Sequence, residues 1–285
     1  MYTPSIAARI LKGVKGNLIA ILTDGLAGPW YGELLEGIQP ALNAGGFAVA
    51  AMTIQGNSPL LYRSLASAGF IRGLVVLNPA KSLAQSLAPL IESLPTVVFD
   101  PGENYGKSIK YVLDNRGGIA ALMSHLWERG YREYLWLDGD LEAAWDAEER
   151  FAAFQDFLDR KDLPRDKRMR TMGGFRTGVA EQAVAGILGQ GLRPRAVVAA
   201  NDESAIGALN AIRKSGLKVP EDIAVAGFDG LDICAWMQPA LTTLKFDRRA
   251  LGQEMARRII SEINGAGSGE RLVTVPLELI VGGST

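Results

Sequence analysis

Asn201, Asp202 and Asp229 are the polar residues whose placement points most directly to chemistry, because each follows an apolar run that reads as a buried strand: Ala196 to Ala200 and Ile223 to Phe228. Asn and Asp are common helix caps, and Asp202, with Glu203 and Ser204 after it, is expected to cap the helix that starts here. Asn201 then remains at the strand end with both a donor and an acceptor, the combination needed to read a hydroxyl group. Asp229, in the turn-like FDG, is expected to face a ligand from the neighbouring strand end. This is binding chemistry rather than bond-breaking chemistry. The chain has no Gly-rich phosphate loop, no G-x-G-x-x-G after its first strand and no G-x-S-x-G elbow.

The elements that position these residues form a strand–helix–strand unit. Ala205, Ile206, Leu209 and Ile212 make one apolar helical face, ended by Gly216 and Pro220. A helix between two strands makes the strands parallel and the crossover right-handed, so Asn201 and Asp229 share the carboxyl edge of one sheet, where open parallel sheets bind ligands. The same rhythm runs through the whole chain. Apolar runs at 18–22, 48–52, 74–77, 97–99, 134–137, 197–200 and 223–228 alternate with helical patterns near 31–44, 59–68, 82–93, 117–129, 147–160, 177–189, 203–215 and 248–264. Pro40 and Pro89 fall inside two of these helices and are expected to kink or shorten them.

Composition narrows the function further. The chain has 285 residues, 48% of them hydrophobic, enough for two medium cores. With 30 basic against 31 acidic residues it has no cationic excess for a phosphate backbone. One cysteine, Cys234, allows no internal disulfide, and one histidine, His125, leaves little from which to build a metal site, so neither a metal nor another cofactor is expected. His125 lies near Leu122 and Leu126 and reads as a packed helix residue. The N-terminus carries no signal-peptide core, and no run is apolar enough to span a bilayer, so a cytoplasmic location with no membrane partner is expected. Asp140, Glu142, Asp146, Glu148 and Glu149 read as a solvated loop and helix start, with acids favoured by the helix dipole.

Four segments resemble the LacI/GalR family of transcriptional regulators: NDESAIGAL (201–209), GLKVPEDIAVAGFD (216–229), PALTTLKFD (239–247) and DNRGGIAALMSHLWERGYREYLWLDG (114–139). The resemblance implies a periplasmic-binding-protein-like α/β fold of two doubly wound parallel-sheet subdomains joined by three crossovers. The expected subdomains are 15–112 with 246–272, and 113–245 with 273–285. Residues 1–14 resemble the family's hinge helix, whose leucine, here Leu11, would contact DNA in a full-length protein; in this chain alone the segment is expected to be unordered. The helix-turn-helix module that normally precedes it is expected to be missing, so operator DNA would be a partner only through that module.

The resemblance also assigns a cleft between the subdomains. Arg150, whose local setting alone suggests a surface ion pair, aligns with the family's effector-binding arginine, a planar fork able to grip two oxygens. Asp100 matches an acid facing the cleft from the first subdomain, and Trp30, Tyr31, Trp145, Phe175 and Phe246 map to cleft positions. Asp24 and Asn78, at two other strand ends, complete the ligand-binding set. Aromatic faces with Asp, Asn and Arg suit a small sugar or polyol effector best, although stacked rings also serve a purine. The expected protein is a binding module and not an enzyme, a regulator and probable repressor. It is expected to form an isologous homodimer through helices near 59–68 and 248–264 and residues around Leu83 to Leu90. The alternatives are an exported sugar-binding protein of an importer and a small α/β sugar-processing enzyme.

Overall fold

The computed structural model describes residues 16–23, 25–26, 29–54, 58–81, 84–100, 102, 105–140, 144–166, 169–267 and 269–285. The expected hinge segment with Leu11, and also Asp24 and Leu83, lie outside the described residues. The chain forms two compact units: the described residues up to Val112 together with Asp247–Thr274, and Leu113–Phe246 together with Val275–Thr285. Phe246 therefore groups with the second unit and not, as expected, with the first.

The first unit is built on a parallel sheet containing β1 (Leu18–Thr23), β2 (Ala48–Thr53), β3 (Ile71–Leu77), β4 (Thr96–Phe99) and β5 (Ile109–Leu113), with β11 (Leu272–Val275) at its far edge, in the order β11-β5-β4-β3-β1-β2. Residues Ile19 to Thr23 and all four residues of β4 are buried. That is why these strands read as continuous apolar runs, as strands covered on both faces do. Pairing runs in register, Leu18 with Ala48 and Leu77 with Phe99, so all the strands of this unit that precede helices end at one edge.

Helices α1 (Pro29–Ala44), α2 (Ser58–Ser67), α3 (Ala84–Ser93) and α8 (Arg248–Ile263) cover this sheet. Helix α8 buries Leu251, Gly252, Met255, Ala256 and Ile259. It meets α1 where Gly37 lies against the backbone of Arg249 and Gly252 against that of Leu34, and a Cβ at either glycine would collide with main chain. The buried guanidinium of Arg248 is held by Glu33, Nη2 to Oε2 at 3.0 Å. Helices α1 and α3 are not shortened at Pro40 and Pro89 but run on to Ala44 and Ser93. The interface expectation also narrows: Leu87 and Leu90 of α3 are in the core, as are Leu251, Met255 and Ile259, so these residues offer nothing to a second copy. Leu60 and Leu61 of α2 are exposed.

The second unit contains a parallel sheet in the order β7-β6-β8-β9, from β6 (Tyr134–Asp138), β7 (Arg170–Met172), β8 (Ala196–Ala199) and β9 (Ala224–Ala226). An antiparallel pair, β10 (Thr243–Lys245) and β12 (Glu278–Ile280), sits beside it, linked through bridges from Ala226 to Thr242 and Asp229 to Lys245. Its helices are α4 (Asn115–Glu128), α5 (Trp145–Arg160), α6 (Thr177–Gly189) and α7 (Asp202–Lys214), with a short 3-10 helix at Asp232–Trp236. No helix among the described residues is long and apolar enough to cross a membrane.

Candidate functional site

The carboxyl edge of the second sheet is organised around Arg150, one and a half turns into α5. Its side chain is buried, contrary to the surface ion pair that its local sequence suggests. Nε donates to Asn115 Oδ1 at 2.9 Å, Nη1 donates to the Ala200 carbonyl at 2.8 Å, and Nη2 pairs with Asp146 Oδ2 at 2.6 Å. The guanidinium plane also covers the Phe228 ring, with its carbon 3.6 Å from the ring centre. Ala200 and Phe228 immediately precede Asn201 and Asp229. One cation therefore fixes the two strand ends that carry the candidate ligand groups.

The helix start at 201–202 differs from expectation in an instructive way. Asn201 is the cap: its Oδ1 accepts from Ser204 N at 2.9 Å. Asp202 is the first helical residue, fully buried, and accepts from Thr243 Oγ1 at 2.5 Å and from Leu231 N at 2.8 Å. It ties α7 to β10 and to the loop after Asp229. The Asn201 oxygen is thus engaged at the helix start, and its amide N–H groups are what it can offer a ligand.

Four of the candidate residues have a left-handed backbone: Asn78 (φ 43°), Asp100 (φ 51°), Phe175 (φ 57°) and Asp229 (φ 120°). Asn and Asp tolerate that region, but Phe does not, and such strain concentrates at binding sites. Phe175 is held there with its ring over Gly139, where any side chain at 139 would collide with it. Trp145 opens α5 four residues before Glu149, and Phe246 directly follows β10 and is buried. In the same unit Asp138 accepts from Trp136 Nε1 and Arg170 Nε, both at 2.7 Å, and Arg170 lies 3.5 Å from the Phe151 ring centre.

At the edge of the first unit the groups are of another kind. Trp30 and Tyr31, in the first turn of α1, meet edge to face at 4.9 Å, and Trp30 lies 5.5 Å from the Phe99 ring. Asn78 follows β3 and Asp100 follows β4, their amides donating to the carbonyls of Phe99 at 3.0 Å and Tyr111 at 2.7 Å. Asn78 Oδ1 is buried with no hydrogen-bond partner among the described residues.

Two residues of the second unit were not anticipated as part of the site. Asp146, read from sequence as a solvated acid, is the partner of Arg150 at the i,i+4 spacing that favours such pairs. Asn115, 1% exposed, orients Arg150 and is itself held by its Nδ2 donating to Glu149 Oε2 at 2.7 Å. The i,i+4 spacing was a usable signal for Asp146; nothing local marks Asn115. Among the described residues there is no cluster of His, Cys, Asp or Glu able to hold a metal ion.

Two parallel sheets, in a chain that passes three times between two units, define a periplasmic-binding-protein-like fold. The chain belongs to the family of the periplasmic binding protein-like domain, whose model matches residues 123–285, in the form of the LacI/GalR effector-binding domain. It is 29% identical to an HTH-type transcriptional repressor, PurR, from Erwinia tasmaniensis, over 98% of this chain and 83% of that protein. A sugar-binding transcriptional regulator of the LacI family from Enterococcus faecalis is 26% identical with a TM-score of 0.81, the match covering 95% of this chain and 98% of that one. The lac repressor dimer bound to operator and an anti-inducer shares the fold at a TM-score of 0.85 and 24% identity, over 100% and 99% of the two chains. These relatives are regulators and repressors, not enzymes.

Proposed function

We propose that this effector-binding domain senses a small sugar or polyol and serves as the sensing and dimerising part of a cytoplasmic repressor. The observation that carries the reading is the Arg150 scaffold, which presents Asn201 and Asp229 side by side at two adjacent strand ends. Ring hydroxyls both donate and accept, and this edge offers both: N–H groups from Arg150 and Asn201, carboxylate oxygens from Asp229. The aromatic pair Trp30 and Tyr31, with Asp100 and Asn78, gives the first unit an apolar face and polar groups suited to the C–H side of a sugar. Trp145, Phe175, Phe246 and Asp24 complete the proposed ligand set. The Enterococcus relative, a sugar-binding regulator, supports the same class.

Assembly and DNA belong to the same reading. Exposed Leu60 and Leu61 on α2, and exposed Ile233 and Trp236 on the 3-10 helix, supply apolar surface for a second copy. Operator DNA would be reached through an N-terminal reading module and Leu11, because the chain, at net charge −1, carries no overall cationic excess for a phosphate backbone. A thermal-shift panel of sugars, polyols and nucleobases tests the effector class. A saturating sugar or polyol, at about 100 times its Kd, is expected to stabilise the domain by about 2.7 kcal/mol. A shift from a nucleobase with none from any carbohydrate would overturn it.

A further inference from the structure

We infer that Asp146 sets the charge selectivity of this site, so that an uncharged polyhydroxylated effector is accepted and its phosphorylated or carboxylated counterparts are refused. The inference rests on the functional reading above and narrows it.

An arginine at a ligand-binding edge ordinarily invites an anion, since its fork matches carboxylate and phosphate oxygens. Here the charge is already spent. Asp146 Oδ2 lies 2.6 Å from Arg150 Nη2, and the two side chains are 14% and 4% exposed. A pair this withdrawn from water interacts more strongly than a surface pair and is screened little by salt. Three of the five guanidinium N–H groups are committed, to Asp146, Asn115 and Ala200. The two that remain can donate to ligand oxygens, but the cation behind them is neutralised.

The surroundings reinforce this. Asp229 follows Phe228, the ring under the guanidinium, and Glu149 is joined to the scaffold through Asn115. The neighbouring cations have their own carboxylates: Arg116 is paired with Asp156 at 2.7 Å and Arg170 with Asp138 at 2.7 Å. An anion accepting from the same guanidinium would share it with the Asp146 carboxylate, close enough for like charges to disfavour it. A hydroxyl group meets no such penalty. It accepts from Arg150 and donates to Asp146 or Asp229, whereas a phosphate dianion can only accept. Local sequence pairs Asp146 with Arg150 as a stabilising helix contact; the burial makes it a selectivity filter.

Inorganic phosphate and sulfate are suitable probes, since they need no knowledge of the effector. They are titrated at constant ionic strength into the wild type, Asp146→Asn and Asp146→Asn/Arg150→Gln, by calorimetry and by tryptophan fluorescence, Trp145 being beside the pair. The wild type is expected to show no saturable anion binding. Asp146→Asn, which keeps the shape and frees the cation, is expected to bind at least about tenfold more tightly than the wild type, and the double variant to lose that gain. Asp146→Ser, checked by circular dichroism, repeats the test should the asparagine variant fail to fold. Arg150-dependent anion binding by the wild type, or no gain in either folded single variant, would overturn the inference. A carbohydrate panel without a hit would instead overturn the functional reading and leave this result standing.

Discussion

The two sheet edges of this chain are built from different kinds of groups. The edge of the second unit is held by charge: Arg150, paired with Asp146 on its own helix α5, bonds to Asn115 of α4 and reaches the ends of β8 and β9 through the Ala200 carbonyl and the Phe228 ring. The edge of the first unit presents rings, Trp30 on Tyr31 and Phe99, beside two left-handed strand ends. A buried ionic scaffold gives direction and discriminates by hydrogen bonding, but it cannot be altered piecemeal because each member compensates another. Ring contacts give apolar area with broad geometric tolerance. Specificity is therefore expected to reside in the second unit, and general affinity for ring-shaped ligands in the first.

The largest effect that would break this contrast is at Arg150. Arg150→Ala leaves Asp146 buried without its cation and Asn115 and Ala200 without their donor, so it is expected to cost about 3 kcal/mol of stability in urea denaturation. It is also expected to weaken the best carbohydrate ligand by about a hundredfold in calorimetry. Were the variant as stable as its parent, the second edge would not be held by charge at all. A smaller effect is expected at the other edge. Trp30→Leu keeps apolar bulk and removes the ring face, which should weaken a cyclic sugar roughly fivefold. An acyclic polyol is the control and should lose less; equal losses would mean that Trp30 does not stack on the ligand.

The smallest effect separates the units by pH, since the only histidine of the chain belongs to the second. Burial, and then the nearby Arg129 charge, hold His125 below its ordinary pKa, with Glu128 opposing, and its Nε2 meets Thr285 Oγ1 at 2.9 Å. Above about pH 6.5 the ring is neutral both folded and unfolded. As pH falls below that value the unfolded chain takes up the proton first, so stability declines until the folded-state pKa is passed. Urea midpoints measured on either side of this window should show the decline in the wild type and a reduced one in His125→Gln.

Much of the architecture could be read from the sequence because local pattern and burial agree. The helix at 177–189 has the expected bounds, and those at 115–128 and 145–160 begin two residues early. Strand β7, RTM, gave no signal, since its one apolar residue, Met172, is itself exposed. Strands β5, β10, β11 and β12 lie in or beside the stretches expected only as crossovers. At the site, the family resemblance directed attention to Arg150, whose local setting argued against it. The exchange of roles between Asn201 and Asp202 was not legible, since both residues are good caps and the choice is made by Thr243, 41 positions away. Asp146 was misread for the same reason: its burial depends on strand ends distant in the chain, while its neighbours Glu148 and Glu149 are exposed as expected.

The discontinuous make-up of both units has a consequence for synthesis. The first unit lacks α8, and so the partner for Gly37 and Glu33, until residues 248–263 have been made, and its edge strand β11 comes later still. The second waits for residues 278–280 to pair with β10, and for Ser284, whose Oγ accepts from Thr242 N at 2.8 Å and donates to the Val225 carbonyl at 2.6 Å. A nascent chain therefore carries two incomplete cores until residues 278–284 have been made. Domains usually fold in order as they emerge from the ribosome. Here the two must close almost together, and a ribosome stalled near residue 246 would hold a chain in which neither sensor half has its full complement of strands.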